Sequence, residues 1–132
     1  MIVVDASALF AIVMREPELD AFVDIFDAEE RALCSTVTYV ETVMTLTGRS
    51  RRLARARVDE LLQTLSVELV AVDPALAQIA VDAFERFGKG RHRARLNLGD
   101  CFSYALAKAR NLPLLFKGDD FARTDIVPAW RP

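Results

Sequence analysis

The sequence predicts an α/β fold built on a parallel sheet of about five short strands. Two observations predict it. Apolar runs at 2–5, 32–34, 67–72, 112–116 and 126–127 are separated by longer helix-like stretches, the alternation expected of strand–helix–strand units. Hydrophobic residues make up 52% of the 132, which suits one domain, 1–132, able to bury its own core.

Each element follows from local chemistry. Ile2-Val3-Val4 leads to Asp5, and Ala6-Ser7-Ala8-Leu9-Phe10 begins a helix that Ser7 is placed to cap. Pro17 suits a first helical position and opens a second helix, 18–28. Ala32-Leu33-Cys34 is the second strand; Ser35 and Thr36 then cap a helix that stops near Gly48. An arginine-rich helix, 51–65, carries Leu53, Val58, Leu61, Leu62 and Leu65 on its apolar side. After the strand at 67–72, Asp73-Pro74 is a cap followed by a first-turn proline, and Gly88-Lys89-Gly90 breaks the helix that ends at Phe87. Residues 88–98 read as a basic loop, and Asp100 opens a helix at 101–110. Pro113 stands at the leading end of the strand 112–116, where the ladder tolerates it. Gly118-Asp119-Asp120 forms a turn, and Ile126-Val127 the last strand.

Seventeen bases against 19 acids leave a net charge of −2, which alone would argue against a nucleic-acid partner. The distribution argues otherwise. Arg49, Arg51, Arg52, Arg55 and Arg57 form one cluster, and Lys89, Arg91, His92, Arg93 and Arg95 a second, while 16–30 holds acids and no base. Such basic segments can track a phosphate backbone or be plain solvated surface. Arg91, Arg93 and Arg95, just before Asp100, are the candidate contacts to a nucleic-acid backbone. Cys34 and Cys101 have apolar neighbours and no metal-ligand spacing, so buried thiols in a reducing, cytoplasmic setting are expected. No apolar stretch approaches the ~20 residues of a membrane helix, and Met1-Ile-Val-Val-Asp5 lacks the basic start of a signal peptide.

The informative residues are acids at element ends: Asp5 after the first strand, Glu41 in the helix after the second, Asp100 at a helix head, and Asp119/Asp120 after the fourth strand. In a parallel sheet the strand C-termini share one edge, so these carboxylates can converge. Converging carboxylates repel, and a hard divalent cation, Mg²⁺ or Mn²⁺, relieves them and activates water for phosphodiester hydrolysis. Each acid also has a plain structural reading. Glu41 could close a capping box with Thr38, Asp100 could favour a helix dipole, and Asp119/Asp120 could be turn residues.

Val4-Asp5-Ala6-Ser7-Ala8-Leu9, Thr38-Tyr-Val-Glu41, Leu96-Asn-Leu-Gly-Asp100-Cys-Phe-Ser-Tyr-Ala-Leu-Ala107 and Leu114-Leu-Phe-Lys-Gly-Asp-Asp-Phe121 resemble the successive motifs of PIN-domain ribonucleases. The match is best to VapC-type toxins of bacterial toxin/antitoxin pairs. The resemblance implies a PIN-like parallel sheet with helices on both sides, a Mg²⁺ or Mn²⁺ site, endonucleolytic RNA cleavage, a homodimer and inhibition by a VapB-type antitoxin. It makes Asp5 and Asp100 principal metal ligands, with Glu41 and an acid of the fourth block, Asp119 in preference to Asp120, completing the site. Ser7 resembles the hydroxyl neighbour that orients the first Asp, though it serves equally as a helix cap. The antitoxin would lie on apolar residues of the first two helices (Phe10, Val13, Leu19, Phe22, Phe26) and on Tyr39, Val43 and Met44, unless these fill the core.

Other acid-pocket proteins fit less well. An aspartyl phosphatase would want an acid at position 7, which is serine; a phospho-receiver module would want its acceptor at Asp73, which precedes proline. His92, the one histidine, lies in a Gly/Arg-rich loop, which disfavours a Ser/His/Asp hydrolase. A catalytically silent PIN domain used for binding is the alternative from another class, and metal-dependent cleavage separates the two.

Overall fold

The computed structural model describes residues 1–49 and 53–132. Four parallel strands, β1 (Ile2–Val4), β2 (Ala32–Ser35), β3 (Val67–Val70) and β4 (Leu114–Leu115), form one sheet in the order β3-β2-β1-β4. The helices are α1 (Ala6–Val13), α2 (Leu19–Ala28), α3 (Thr36–Arg49), α4 (Ala54–Thr64), α5 (Pro74–Phe87) and α6 (Leu98–Arg110), followed by a 3-10 turn at Phe121–Arg123.

Side chains alternate across the sheet, as the two-residue strand period requires. Ile2, Val4, Cys34 and Leu115 face a core shared with Leu9, Phe22, Leu46 and Val58. Val3, Leu33 and Leu114 face another, shared with Ala80, Phe87, Tyr104 and Leu106. The first layer is α1 to α4 and the second α5 and α6, so helices cover both faces. Full burial explains why the inner strands read as unbroken apolar runs.

The expected fifth strand is reduced to one parallel bridge between Leu114 and Pro128. Leu114 N–H donates to Val127 O, and Ala129 N–H donates to Leu114 O, both at 2.9 Å. Pro128 sits between the two bonded groups with its nitrogen turned away from β4, on the outer edge where a missing N–H is tolerated.

Several helix boundaries differ from the sequence reading for local reasons. Asp5, not Ser7, caps α1, accepting from Ser7 N–H. Pro17 precedes α2, which starts at Leu19. Gly48 lies inside α3. Leu53 is the left-handed residue before α4, 73% exposed, so it is no part of the apolar face that Val58 and Leu62 bury. α6 begins three residues earlier than expected. Asn97 is its cap, and Asp100 is the third helical residue in a reciprocal capping box. Asp73 caps α5 as expected, with Pro74 in the first turn. The readings that fall on Arg51 and Arg52 lie outside the described residues.

Candidate active site

The C-terminal end of β1 delivers Asp5 to a cleft of about 330 Å³ that Glu41 from α3 and Asp100 from α6 also line. Asp5 is 2% exposed, and both of its carboxylate oxygens are held. Ser7 donates to Oδ2 through its N–H at 3.0 Å and its hydroxyl at 2.7 Å. Ser103, one turn beyond Asp100 on α6, donates to Oδ1 at 2.5 Å. Thr38 Oγ1 lies 3.0 Å from Ser103 Oγ; since the Ser103 proton is committed to Asp5, Thr38 is the donor of that pair. Ser7 Oγ in turn accepts the Lys117 backbone N–H at 3.0 Å, tying the start of α1 to the segment after β4.

Asp100 is held by the capping box. Its Oδ2 accepts from Asn97 N–H at 3.0 Å, while Asn97 Oδ1 accepts from Asp100 N–H at 2.9 Å. Glu41 is placed by a missing side chain: its carboxylate rests where a Cβ on Gly99 would be.

The three carboxylates feel one another. Burial first, then the charges of Asp5 and Asp100, push Glu41 up to about 7. Burial is also the largest cause raising Asp100 to about 7; the Asn97 hydrogen bond opposes it, and the charges of Asp5 and Asp120 add to it. Burial and neighbouring negative charge thus favour the protonated forms of Glu41 and Asp100, and oxygen donors so arranged suit a hard cation that retains some of its water. Among the described residues no three acid, histidine or cysteine side chains stand close enough to hold an ion between them. The donor set thus matches Mg²⁺ or Mn²⁺ in chemistry, with the carboxylates ranged around the cleft rather than closed on one point.

A model of the PIN domain matches residues 2–127. Ribonuclease VapC30 of Mycobacterium tuberculosis is 44% identical over 130 residues, which cover 98% of this chain and 99% of that protein. The crystal structure of VapC20 from Mycobacterium tuberculosis, described as a toxin that cleaves the sarcin–ricin loop, matches with a TM-score of 0.80 at 18% identity over 100% of both chains. A toxin–antitoxin complex from Klebsiella pneumoniae matches with a TM-score of 0.74 at 17% identity, again over 100% of both chains. At those identities the two structures carry the fold, and the VapC30 alignment carries the family.

This chain belongs to the PIN-domain family, among the VapC ribonucleases.

In this PIN domain the fourth block divides its two acids. Asp119 and Asp120 are both exposed and line an adjoining cavity of about 460 Å³ with Lys89, Arg95, Asn97 and Arg123. Both border the acid cleft's neighbour, and of the two it is the Asp120 charge that adds to the raising of Asp100. The three arginines also separate. Arg95, in a left-handed conformation, lines the cavity beside the aspartates. Arg93 is exposed, with its carbonyl accepting from Arg123 Nη1 at 3.2 Å. Arg91 sits over the Phe84 ring, 5.7 Å from its centroid, on the outer face of α5.

The sequence reading gave no role to Lys117, Asn97, Gly99, Ser103 or Arg123. The Asn-x-x-Asp spacing of a capping box was a usable signal for Asn97. Of the residues that the sequence leaves open between a partner surface and the core, Phe22 and Phe26 are core, buried below α2.

Proposed function

We propose that this VapC ribonuclease is the toxin of a toxin/antitoxin pair, a metal-dependent endoribonuclease. Asp5, Glu41, Asp100 and one acid of the Asp119/Asp120 pair would hold Mg²⁺ or Mn²⁺. Asp120 is the better fourth acid, because its charge reaches Asp100. One observation carries the reading: three acids from three elements line one cleft in a chain that aligns end to end with a VapC ribonuclease. The bound ion would neutralise a phosphoryl oxygen and lower the pKa of water.

The protein's own residues do the rest. Ser7 and Ser103 aim Asp5 from both sides, Asn97 aims Asp100, and Gly99 admits Glu41. Arg95, Lys89 and Arg123 offer cations to neighbouring phosphates, which position the strand without reading its sequence.

A VapB-type antitoxin would restrain it. The acids can take a partner arginine through paired charge-assisted bonds. Phe10, half-buried, lines the same cleft, and Val13, Leu19, Tyr39 and Val43 are half-buried nearby on α1, the start of α2 and α3, a surface for an amphipathic segment. A homodimer would use the more exposed apolar face of Val40, Met44, Leu98, Val81 and Phe84. Two free, buried cysteines are consistent with a reducing cytoplasm, and among the described residues no helix is long and apolar enough to cross a membrane.

The test is cleavage of single-stranded RNA by the purified chain with Mg²⁺ or Mn²⁺, stopped by chelation. Asp5→Asn should lose nearly all activity while staying folded, since asparagine caps a helix as well as aspartate does. Undiminished cleavage by that variant would remove the proposed site; no cleavage by a folded, partner-free wild type would leave a silent binding domain.

A further inference from the structure

Thr38 and Ser103 are fully buried, and neither lines the acid cleft. A buried hydroxyl pair is no asset to a core, because two apolar groups of the same shape serve as well, whereas a hydroxyl left unpaired is costly. This pair leads to the first acid. Thr38 Oγ1 donates to Ser103 Oγ at 3.0 Å, and Ser103 donates to Asp5 Oδ1 at 2.5 Å. Thr38 stands one turn before Glu41 on α3, and Ser103 one turn beyond Asp100 on α6. The three segments that bring Asp5, Glu41 and Asp100 to the cleft are thereby joined by two hydrogen bonds.

The two oxygens of Asp5 are unequally used. A carboxylate oxygen has room for about two hydrogen bonds. Oδ2 already accepts two, from the N–H and the hydroxyl of Ser7. Oδ1 accepts one, from Ser103, and keeps a lone pair. Oδ1 is thus the oxygen that Asp5 has left for a cation, and Ser103 is bonded to that same atom. A serine inside a helix has a competing acceptor, the carbonyl four residues back, which here belongs to Gly99. Donation from Thr38 turns a lone pair of Ser103 toward α3 and polarises its hydroxyl, which strengthens the bond to Asp5 over that competitor.

We infer that Thr38 is a positioning residue for the metal site, acting through Ser103 on the oxygen of Asp5 that takes the ion. The inference deepens the metal-dependent reading and rests on it. Neither hydroxyl touches metal or RNA. Together they keep the Asp5 carboxylate from rotating and hold the helices of Glu41 and Asp100 in step with it.

The test is Mn²⁺ affinity, measured by calorimetry on the full-length chain without RNA. Losing an outer hydrogen bond to a metal ligand weakens binding about 10- to 100-fold, so Ser103→Ala should bind Mn²⁺ at least about tenfold more weakly than wild type. Thr38→Val keeps the shape and removes the donor; it should weaken binding by a smaller factor, about threefold or more. Thr38→Ser restores the donor and should bind as wild type does. Adding Thr38→Val to Ser103→Ala should change nothing further, because the path is already cut. In RNA cleavage the same losses should fall on kcat and leave KM nearly unchanged. If Ser103→Ala does not fold, Thr38→Val against Thr38→Ser decides alone. Wild-type affinity in Ser103→Ala or Thr38→Val, equal weakening by Thr38→Ser and Thr38→Val, or factors that multiply in the double variant overturn the inference. A wild type that binds Mn²⁺ through this path but never cuts RNA removes only the nuclease, and one that binds no Mn²⁺ removes both.

Discussion

Asp5 was legible in the sequence because a carboxylate at a strand end has few structural uses, and Ser7 because it lies two positions away. Ser103 and Gly99 were not, because their roles exist only once α6 lies against β1 and α3. Gly99 gives the sharpest residue-scale expectation. A methyl group there overlaps first the Glu41 carboxylate, the far end of a flexible side chain, so the acid yields before the backbone does. Alanine at a backbone position it can adopt also restricts the unfolded chain more than glycine does, worth roughly 0.4–1 kcal/mol. Gly99→Ala should therefore melt at the same or a slightly higher temperature than wild type and cleave RNA at least about tenfold more slowly, the scale of loss from displacing a catalytic group. Equal cleavage would mean that the seat of Glu41 does not matter.

Among the elements, the strands and most helices were readable because apolar runs and caps are local signals. The loop before α6 was not. Its basic residues look equivalent in sequence, yet the chain turns through Gly90 and the left-handed Arg95, so Arg91 falls over Phe84 while Arg95 faces the acids. RNA binding should show the division. With a cleavage-dead Asp5→Asn background, Arg95→Ala should weaken binding of all sequences alike and lower the log–log salt slope by roughly 0.7, the value for one phosphate contact on a single strand. Arg91→Ala should leave the slope nearly unchanged. Equal slopes for the two variants would return the loop to solvated surface.

At the scale of the molecule, sequence periodicity placed the core but not the outer faces, because an exposed apolar residue and a buried one look alike until packing separates them. Phe22 proved to be core, whereas Met44 and Leu98 are 69% and 75% exposed along one surface. If that surface pairs two copies, Leu98→Glu should give monomers by sedimentation without lowering thermal stability at equal monomer content.

The acid cleft sets a second property of the whole fold, its stability against pH. Glu41 and Asp100 are raised to about 7 from 4.5 and 3.8. Between pH ~4 and ~7 the folded protein consequently binds more protons than the unfolded chain, and stability falls as pH rises. The penalty is absent below the unfolded values and complete above about 7. Allowing for solvent screening at this open cleft, it amounts to roughly 1–3 kcal/mol. Asp125, held low against burial by Tyr104, Lys108 and Arg86, acts in the opposite sense but titrates below this window. Without divalent ions the melting temperature should drop by several degrees from pH 5.5 to pH 8, and Glu41→Gln should flatten the drop. Mg²⁺ or Mn²⁺ should restore stability at pH 8 and do little at pH 5.5, because their carboxylate ligands must be deprotonated. A melting temperature that climbs steadily to pH 8 in chelator, or rises equally with metal at both pH values, would show that these carboxylates do not share one site.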